Sequence, residues 1–361
     1  MLVFLFILLL IIFMGMQVTP QNKFNDDYMS IQKTTAINGI FVLLVFLSHA
    51  RQYIDISTGA LDAPYLTMKT YLGQMVVVTF LFYSGYGMME SIKKKGMNYI
   101  KSIPFKRFFK VLYHMSIAVL CFVMVQAVFS KFYDFKTILL SFIGWKSVGN
   151  SNWYIFAVLV LYIITFVSFI IARDKKVLGV CLVTILSMGF VYWQMKMNRP
   201  DCCYNTVILF PAGMIFSLVK DKVEKIITKN DTIYMLFLAA VFALYLFFYN
   251  NISEGIEQYS MWGILFMALI VLVSMKVSID NNILQWFGSH VFSVYILQRI
   301  PMIILTYIGY STRHKYAFIT VSFVATIVMA QVFDVFVGKL DNFIYKPRKK
   351  LSDKKSIESA Q

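Results

Sequence analysis

Apolar residues run in long blocks separated by short polar stretches, and this alternation recurs from end to end of the chain. Eleven blocks approach or reach the length that crosses a bilayer: Leu2–Met16, Ala36–Tyr53, Leu72–Met89, Val111–Ser130, Trp153–Ala172, Val177–Met195, Tyr204–Val219, Thr232–Tyr249, Tyr259–Met275, His290–Tyr310 and Tyr316–Gly338. In hydrocarbon every backbone polar group must be satisfied internally, so such blocks are expected to be helices. The shorter run Thr137–Trp145 reads as a re-entrant or interfacial piece. No repeat of fixed period is visible. The pattern predicts an all-α polytopic membrane protein of about eleven transmembrane helices.

Composition removes the alternatives. Of 361 residues, 59% are apolar, 17% aromatic and only 14% charged. Soluble domains carry about a quarter charged residues, and disordered chains are poor in aromatics, so neither class fits. The net charge of +16 suggests nucleic acid until the cations are located. They lie between the apolar blocks, where a membrane protein needs them, and no nucleic-acid partner is expected. With the connection after the first block placed inside, 24 of the 34 Lys and Arg fall in inside connections and 9 in outside ones. That bias predicts an N-terminus outside and a C-terminus in the cytoplasm of a plasma-membrane protein. The first block has no basic residue before it and no clear cleavage site, so it reads as an uncleaved extra helix. The segment Lys346-Pro347-Arg348-Lys349-Lys350 then reads as a cytoplasmic basic patch, topological in role, with anionic-lipid contact as a second reading. Three regions result: 1–29, the extra helix and a short linker; 30–340, a ten-helix core; and 341–361, a basic tail. Cys121, Cys181, Cys202 and Cys203 show neither a disulfide framework nor metal spacing.

Ionisable groups inside the blocks are the candidate site, because a merely structural span does not require them. His49 lies deep in Ala36–Tyr53, and Asn38 stands eleven residues earlier, about three turns or roughly 16 Å along the same helix face. A neutral imidazole there can accept a proton from a hydroxyl, although a histidine that packs helices together is as reasonable a reading. Ser84, Gly85 and Gly87 form a small-residue strip on which another helix or a ligand can approach closely. Between Glu90 and Lys110 come Lys93, Lys94, Lys95, Lys101, Lys106, Arg107 and Lys110, more cations than orientation needs. A polyanionic nucleotide cofactor would use them, and so would acidic lipid. Arg299, about nine residues into a span and close to Pro301, calls for a polar cavity or a partner, and Asp334 is a possible counter-charge. His114, His290 and His314 lie at block ends or in a loop and are set aside. No P-loop, no HExxH and no nucleophile elbow occurs.

The run Asn38-Gly39-Ile40 through Ser48-His49-Ala50 is followed by Phe82-Tyr83-Ser84-Gly85-Tyr86-Gly87 and by Arg107-Phe108-Phe109-Lys110. Then come Asn152-Trp153-Tyr154, Phe210-Pro211-Ala212-Gly213 and Ser293 through Pro301. In that order these segments resemble the membrane acyltransferase 3 family over about residues 30 to 340. The resemblance implies ten core helices and transfer of an acyl group, expected to be acetyl, from cytosolic acyl-CoA to an extracytoplasmic hydroxyl. The acceptor would be a polysaccharide or lipid-linked sugar of the cell envelope. The family's key histidine falls on His49, its serine–glycine element on Ser84 and Gly85, and its basic residue on Arg107. Ser84 would orient a group by hydrogen bonding, while Arg107, Lys106 and Lys110 would grip the coenzyme phosphates, with Asn38 beside the donor. The family often carries arginine where this chain has Asn38. Asn cannot supply charge to a phosphate or thioester oxyanion, so either Arg299, as a catalytic residue, or the Lys93–Lys110 stretch is expected to replace it, or the donor is handled differently in this protein. A secondary transporter or saccharide flippase is the competing reading, since it accounts equally for many helices and for His, Arg and Asp within them.

Overall fold

The computed structural model describes residues 1–56 and 59–345, almost wholly as helix. In chain order the helices are α1 (Leu2–Phe13), α2 (Ile31–Ala50), α3 (Ala63–Leu72), α4 (Met75–Lys95), α5 (Met97–Ile103), α6 (Lys110–Val128), α7 (Phe135–Phe142), α8 (Trp153–Ala172) and α9 (Lys176–Lys196). They continue as α10 (Leu209–Ile227), α11 (Asp231–Asn250), α12 (Ile256–Lys276), α13 (Asn282–Ser289), α14 (Val291–Leu297), α15 (Arg299–Tyr307), α16 (Tyr310–Arg313) and α17 (Lys315–Tyr345). Local chemistry sets many of the ends. Ser30 caps α2 through Lys33 N, Asn230 caps α11 through Ile233 N, and Asn281 caps α13 through Ile283 N. Gly96, at φ +53°, ends α4 in a conformation that only glycine adopts without strain.

Every expected apolar block contains a helix, but not every helix is a full span. Among the described residues eight helical stretches are long and apolar enough to cross a membrane, or nine with the bent pair Asn282–Ser289 and Val291–Tyr307. The count of eleven therefore falls short at two blocks. Leu2–Phe13 has 12 residues, about 18 Å of helix against a hydrocarbon core of about 30 Å. In α10 the second half carries Lys220, Asp221, Lys222, Glu224 and Lys225, so the apolar part is too short. The block His290–Tyr310 is not one straight helix either. A 66° bend separates α13 from the helix after it, and α14 and α15 break again at Gln298. The stretch Glu90–Lys110, expected as a loop, is helical as well. α5 runs into a π-helical segment, Pro104–Phe109, that continues as α6. The patch Lys346–Lys350 lies outside the described residues.

α2 sits at the centre of the bundle, apolar on all sides and buried at every position from Phe41 to Leu47. α11 is its opposite, a peripheral helix that buries little besides Tyr234. Two glycine clasps hold the central helices. At Gly39 on α2 the backbone of α13 comes so close that a Cβ would meet the Leu284 carbonyl, and Gly288 on α13 returns the contact against Thr35. At Gly85 on α4 the neighbour is the Phe210 carbonyl of α10, and Gly213 meets Phe82 in return. Approach this close is the geometry of Cα–H···O contacts between helices. β1 (Met16–Val18) and β2 (Val277–Ile279) form a short antiparallel ribbon, Gln17 opposite Ser278, which ties the linker after α1 to the end of α12.

Candidate functional site

The clasped helices α2 and α4 expose one polar strip each to a cavity of about 660 Å³, a size that suits a small-molecule ligand. Asn38 lines it from α2 and Ser84 from α4, each next to the glycine that fixes its helix. Lys106 and Arg107 reach it from the π-helical segment, and Lys110 from the start of α6. A π-helical turn widens the helix and re-aims its side chains, and such turns recur at functional sites. The cavity therefore opens at the end of the bundle where the basic residues are concentrated. Five of the seven residues singled out from the sequence share this lining.

Within the lining, Arg107 is turned toward Tyr99 and Tyr162, and Ser84 faces the Tyr162 hydroxyl. Asn38 Oδ1, Tyr83 OH and Tyr295 OH are buried and have no hydrogen-bond partner in the protein. Each such atom costs about 1–3 kcal/mol when left unpaired. Three on one cavity wall suit a ligand that carries amides or hydroxyls along its length.

His49 and Arg299 are not in that lining. Tyr295 lines the cavity and contacts Tyr154 at 5.5 Å between ring centroids, while its ring lies 6.1 Å from that of His49. Tyr295 thus stands between the cavity and the imidazole. His49 Nε2 is 3.5 Å from Ser151 Oγ, and Nδ1 is buried without a partner. Arg299 lies near enough for its charge to act on both His49 and Tyr295, and it donates to Gln52 Oε1. The alternative of an Arg299–Asp334 ion pair is overturned. Asp334 accepts from Ser293 Oγ at 2.6 Å and lies 3.7 Å from His290 Nε2, on the cavity wall. The charge that shares a cavity with Asn38 comes instead from Lys106, Arg107 and Lys110.

Sequence reasoning passed over several groups that the fold brings in. Asp341 binds Lys110 Nζ at 2.7 Å and His114 Nε2 at 3.1 Å at the mouth of the cavity. Its signal was helical spacing: Asp334, Gly338 and Asp341 recur at four and three residues on α17 and share one face. His114 was set aside as a block-end residue, and Tyr154 entered as part of the run Asn152-Trp153-Tyr154. Neither reading of those two positions could see the partner helix.

An acyltransferase domain model matches residues 35–335, most of the chain. The chain belongs to the membrane acyltransferase 3 family. The match covers every residue of the lining from Asn38 to Asp334, and it extends over His49 and Arg299. No curated protein and no solved structure matches the chain at a significant level. Family membership supports an acyltransferase in a membrane, and among the described residues no cluster of His, Cys, Asp or Glu is arranged to hold a metal ion.

Proposed function

We propose that this acyltransferase moves an acyl group, acetyl by expectation, from cytosolic acyl-CoA to a hydroxyl of an acceptor on the opposite side of the membrane. The acceptor class is a cell-envelope polysaccharide or a lipid-linked sugar. The observation that carries the reading is one cavity with cations at its mouth and unpaired polar atoms along its wall, ending at the tyrosine that touches His49. With the basic end in the cytosol of a plasma-membrane protein, as the charge bias favours, Lys106, Arg107 and Lys110 take the donor's phosphates through charge-assisted hydrogen bonds. Asn38, Tyr83 and Ser84 offer hydrogen bonds to the pantetheine amides further in.

From Asn38 to His49 the helix rises roughly 16 Å, so the thioester must pass Tyr295 to reach the imidazole. There His49 accepts the acceptor's hydroxyl proton as the oxygen attacks the thioester carbonyl. Collapse of the tetrahedral intermediate breaks the carbon–sulfur bond, and the departing thiolate takes up the proton that His49 holds. The products are an ester and free coenzyme A. Arg299 is placed to stabilise negative charge near the imidazole, on the reacting oxygen or on the acceptor.

The test uses detergent-purified protein, radiolabelled acetyl-CoA and a glycan-bearing envelope fraction. Label should pass to the glycan without any sealed compartment. Thioester-independent solute movement in vesicles, with no transfer in detergent, would establish a transporter instead.

A further inference from the structure

At the end of α2 remote from the basic cavity mouth, a cation has no counter-ion among the described residues. Arg299 opens α15 just after the break at Gln298, and its guanidinium lies 5.9 Å from the Tyr53 ring centroid. Its hydrogen-bond partners, the Gln52 carboxamide and the Tyr53 hydroxyl, are both neutral, and its Nε is buried with no partner. Among the described residues no carboxylate forms an ion pair with Arg299. Asp62 is engaged elsewhere, 2.7 Å from the Met1 amine and 3.0 Å from the Tyr316 hydroxyl. Lys69 adds to the positive side. Burial lowers its pKa, and the nearby Arg51 charge adds to that in the same direction.

A guanidinium that only tied helices together would be expected to face a carboxylate or a set of backbone carbonyls. This one is oriented by a carboxamide that leaves its charge intact and an N–H edge unused, beside the imidazole that handles the acceptor. Arginine recognises planar oxyanions through such an edge, with two parallel hydrogen bonds. We propose that Arg299 anchors an oxyanion of the acceptor itself, so that the saccharide receiving the acyl group bears a carboxylate or a phosphate close to the acylated hydroxyl. The proposal rests on the reading of His49 as the group that activates that hydroxyl. Gln52 is then a positioning residue that holds the fork without neutralising it, and Tyr53 lies under the sugar-facing side of the same guanidinium.

Binding and transfer separate this proposal from the reading beneath it. The full chain in detergent, with acetyl-CoA present, is titrated with a hexuronate oligosaccharide, a glycosyl phosphate and a neutral glucose oligosaccharide of matched length, and thermal stabilisation gives each affinity. At least one charged probe should bind about tenfold tighter than the neutral one, and the better of the two names the anion. Arg299→Gln should abolish that preference, and Arg299→Lys should keep part of it. Gln52→Glu should abolish it too, by giving the guanidinium an internal carboxylate, and it serves if Arg299→Gln does not fold. Equal affinity for charged and neutral probes, or a charged-probe preference that survives in Gln52→Glu and in any folded Arg299→Gln, overturns the anion anchor. Failure of the underlying acyl transfer would show differently, as anion binding intact with no label leaving acetyl-CoA.

Discussion

Gly85→Ala is expected to damage the enzyme through packing alone. A Cβ on Gly85 would stand 2.9 Å from the Phe210 carbonyl carbon and 3.2 Å from its Cα, with the carbonyl oxygen nearer still. Ordinary contact begins near 3.4 Å, so α4 and α10 must part by at least about half an ångström, and by more to clear the oxygen. Overpacking of this kind costs about 1–3 kcal/mol. The better helix propensity of Ala returns up to about 1 kcal/mol. Gly87 on the same helix has nothing within 4 Å of the same position, so Gly87→Ala should be neutral or slightly stabilising. The pair should differ by about 1–3 kcal/mol, which thermal unfolding in detergent would read as a gap of a few degrees. Because Ser84 moves with Gly85, kcat for acetyl transfer should fall at least about tenfold in Gly85→Ala, since an ångström of misplacement can cost about a hundredfold. Equal stability and equal kcat in the two variants would refute the clasp as the element that positions Ser84.

Replacing Lys106, Arg107 and Lys110 together by Gln should raise KM for acetyl-CoA about tenfold or more with a smaller change in kcat, measured at fixed ionic strength. An unchanged KM would reduce the segment to an orientation signal. Tyr295→Ala should open the cavity toward His49 and raise acetyl-CoA hydrolysis relative to transfer, as water gains the same path; an unchanged hydrolysis-to-transfer ratio would remove Tyr295 as the barrier. Cys203, near enough for its charge to act on Tyr295, is held below the ordinary thiol range by its hydrogen bond with Cys202 and, in part, by Arg199, against the effect of burial. A lowered thiol pKa means that thiolate grows in at lower pH than for an ordinary thiol, so ultraviolet thiolate absorbance should rise below the usual thiol midpoint and lose that early rise when the pair is broken in Cys203→Ser.

Hydropathy placed a helix in every apolar block because burial in lipid leaves little choice of backbone, although ends such as that of α10, at Ile227 rather than Val219, moved by up to eight residues. Its count of eleven is matched by length and composition at all but two blocks, where two effects compete with that rule. Leu2–Phe13 is apolar enough but short, and α10 trades its second half to charges at the basic end. The bend beside His290 went unread although Gly288-Ser289, the kind of pair at which helices kink, stands at it, where the fold also packs Gly288 against Thr35. For the site, residues that are costly in a membrane stood out by type, and Asn38, Ser84 and Arg107 share one wall as a result. Pairings did not stand out. Asp334 was matched to Arg299 by sign, whereas Ser293 and His290 hold it, and Lys110, expected on the coenzyme phosphates, is bound by Asp341. Sign and depth can be read along a chain, but which helix lies opposite cannot. Tyr154 and Tyr295 illustrate the same limit, since each looks like any interfacial or packing aromatic until the two rings meet at 5.5 Å in front of His49.

The most direct measurement is acetyl transfer by purified His49→Ala in the detergent assay, run beside acetyl-CoA binding by the same preparation. Loss of the imidazole should leave donor affinity within about twofold of wild type, because His49 lies outside the donor cavity. Transfer should drop by about a hundredfold or more, the usual contribution of a positioned general base. Transfer within a few-fold of wild type, with donor binding intact, would contradict the assignment of His49 and with it the route past Tyr295.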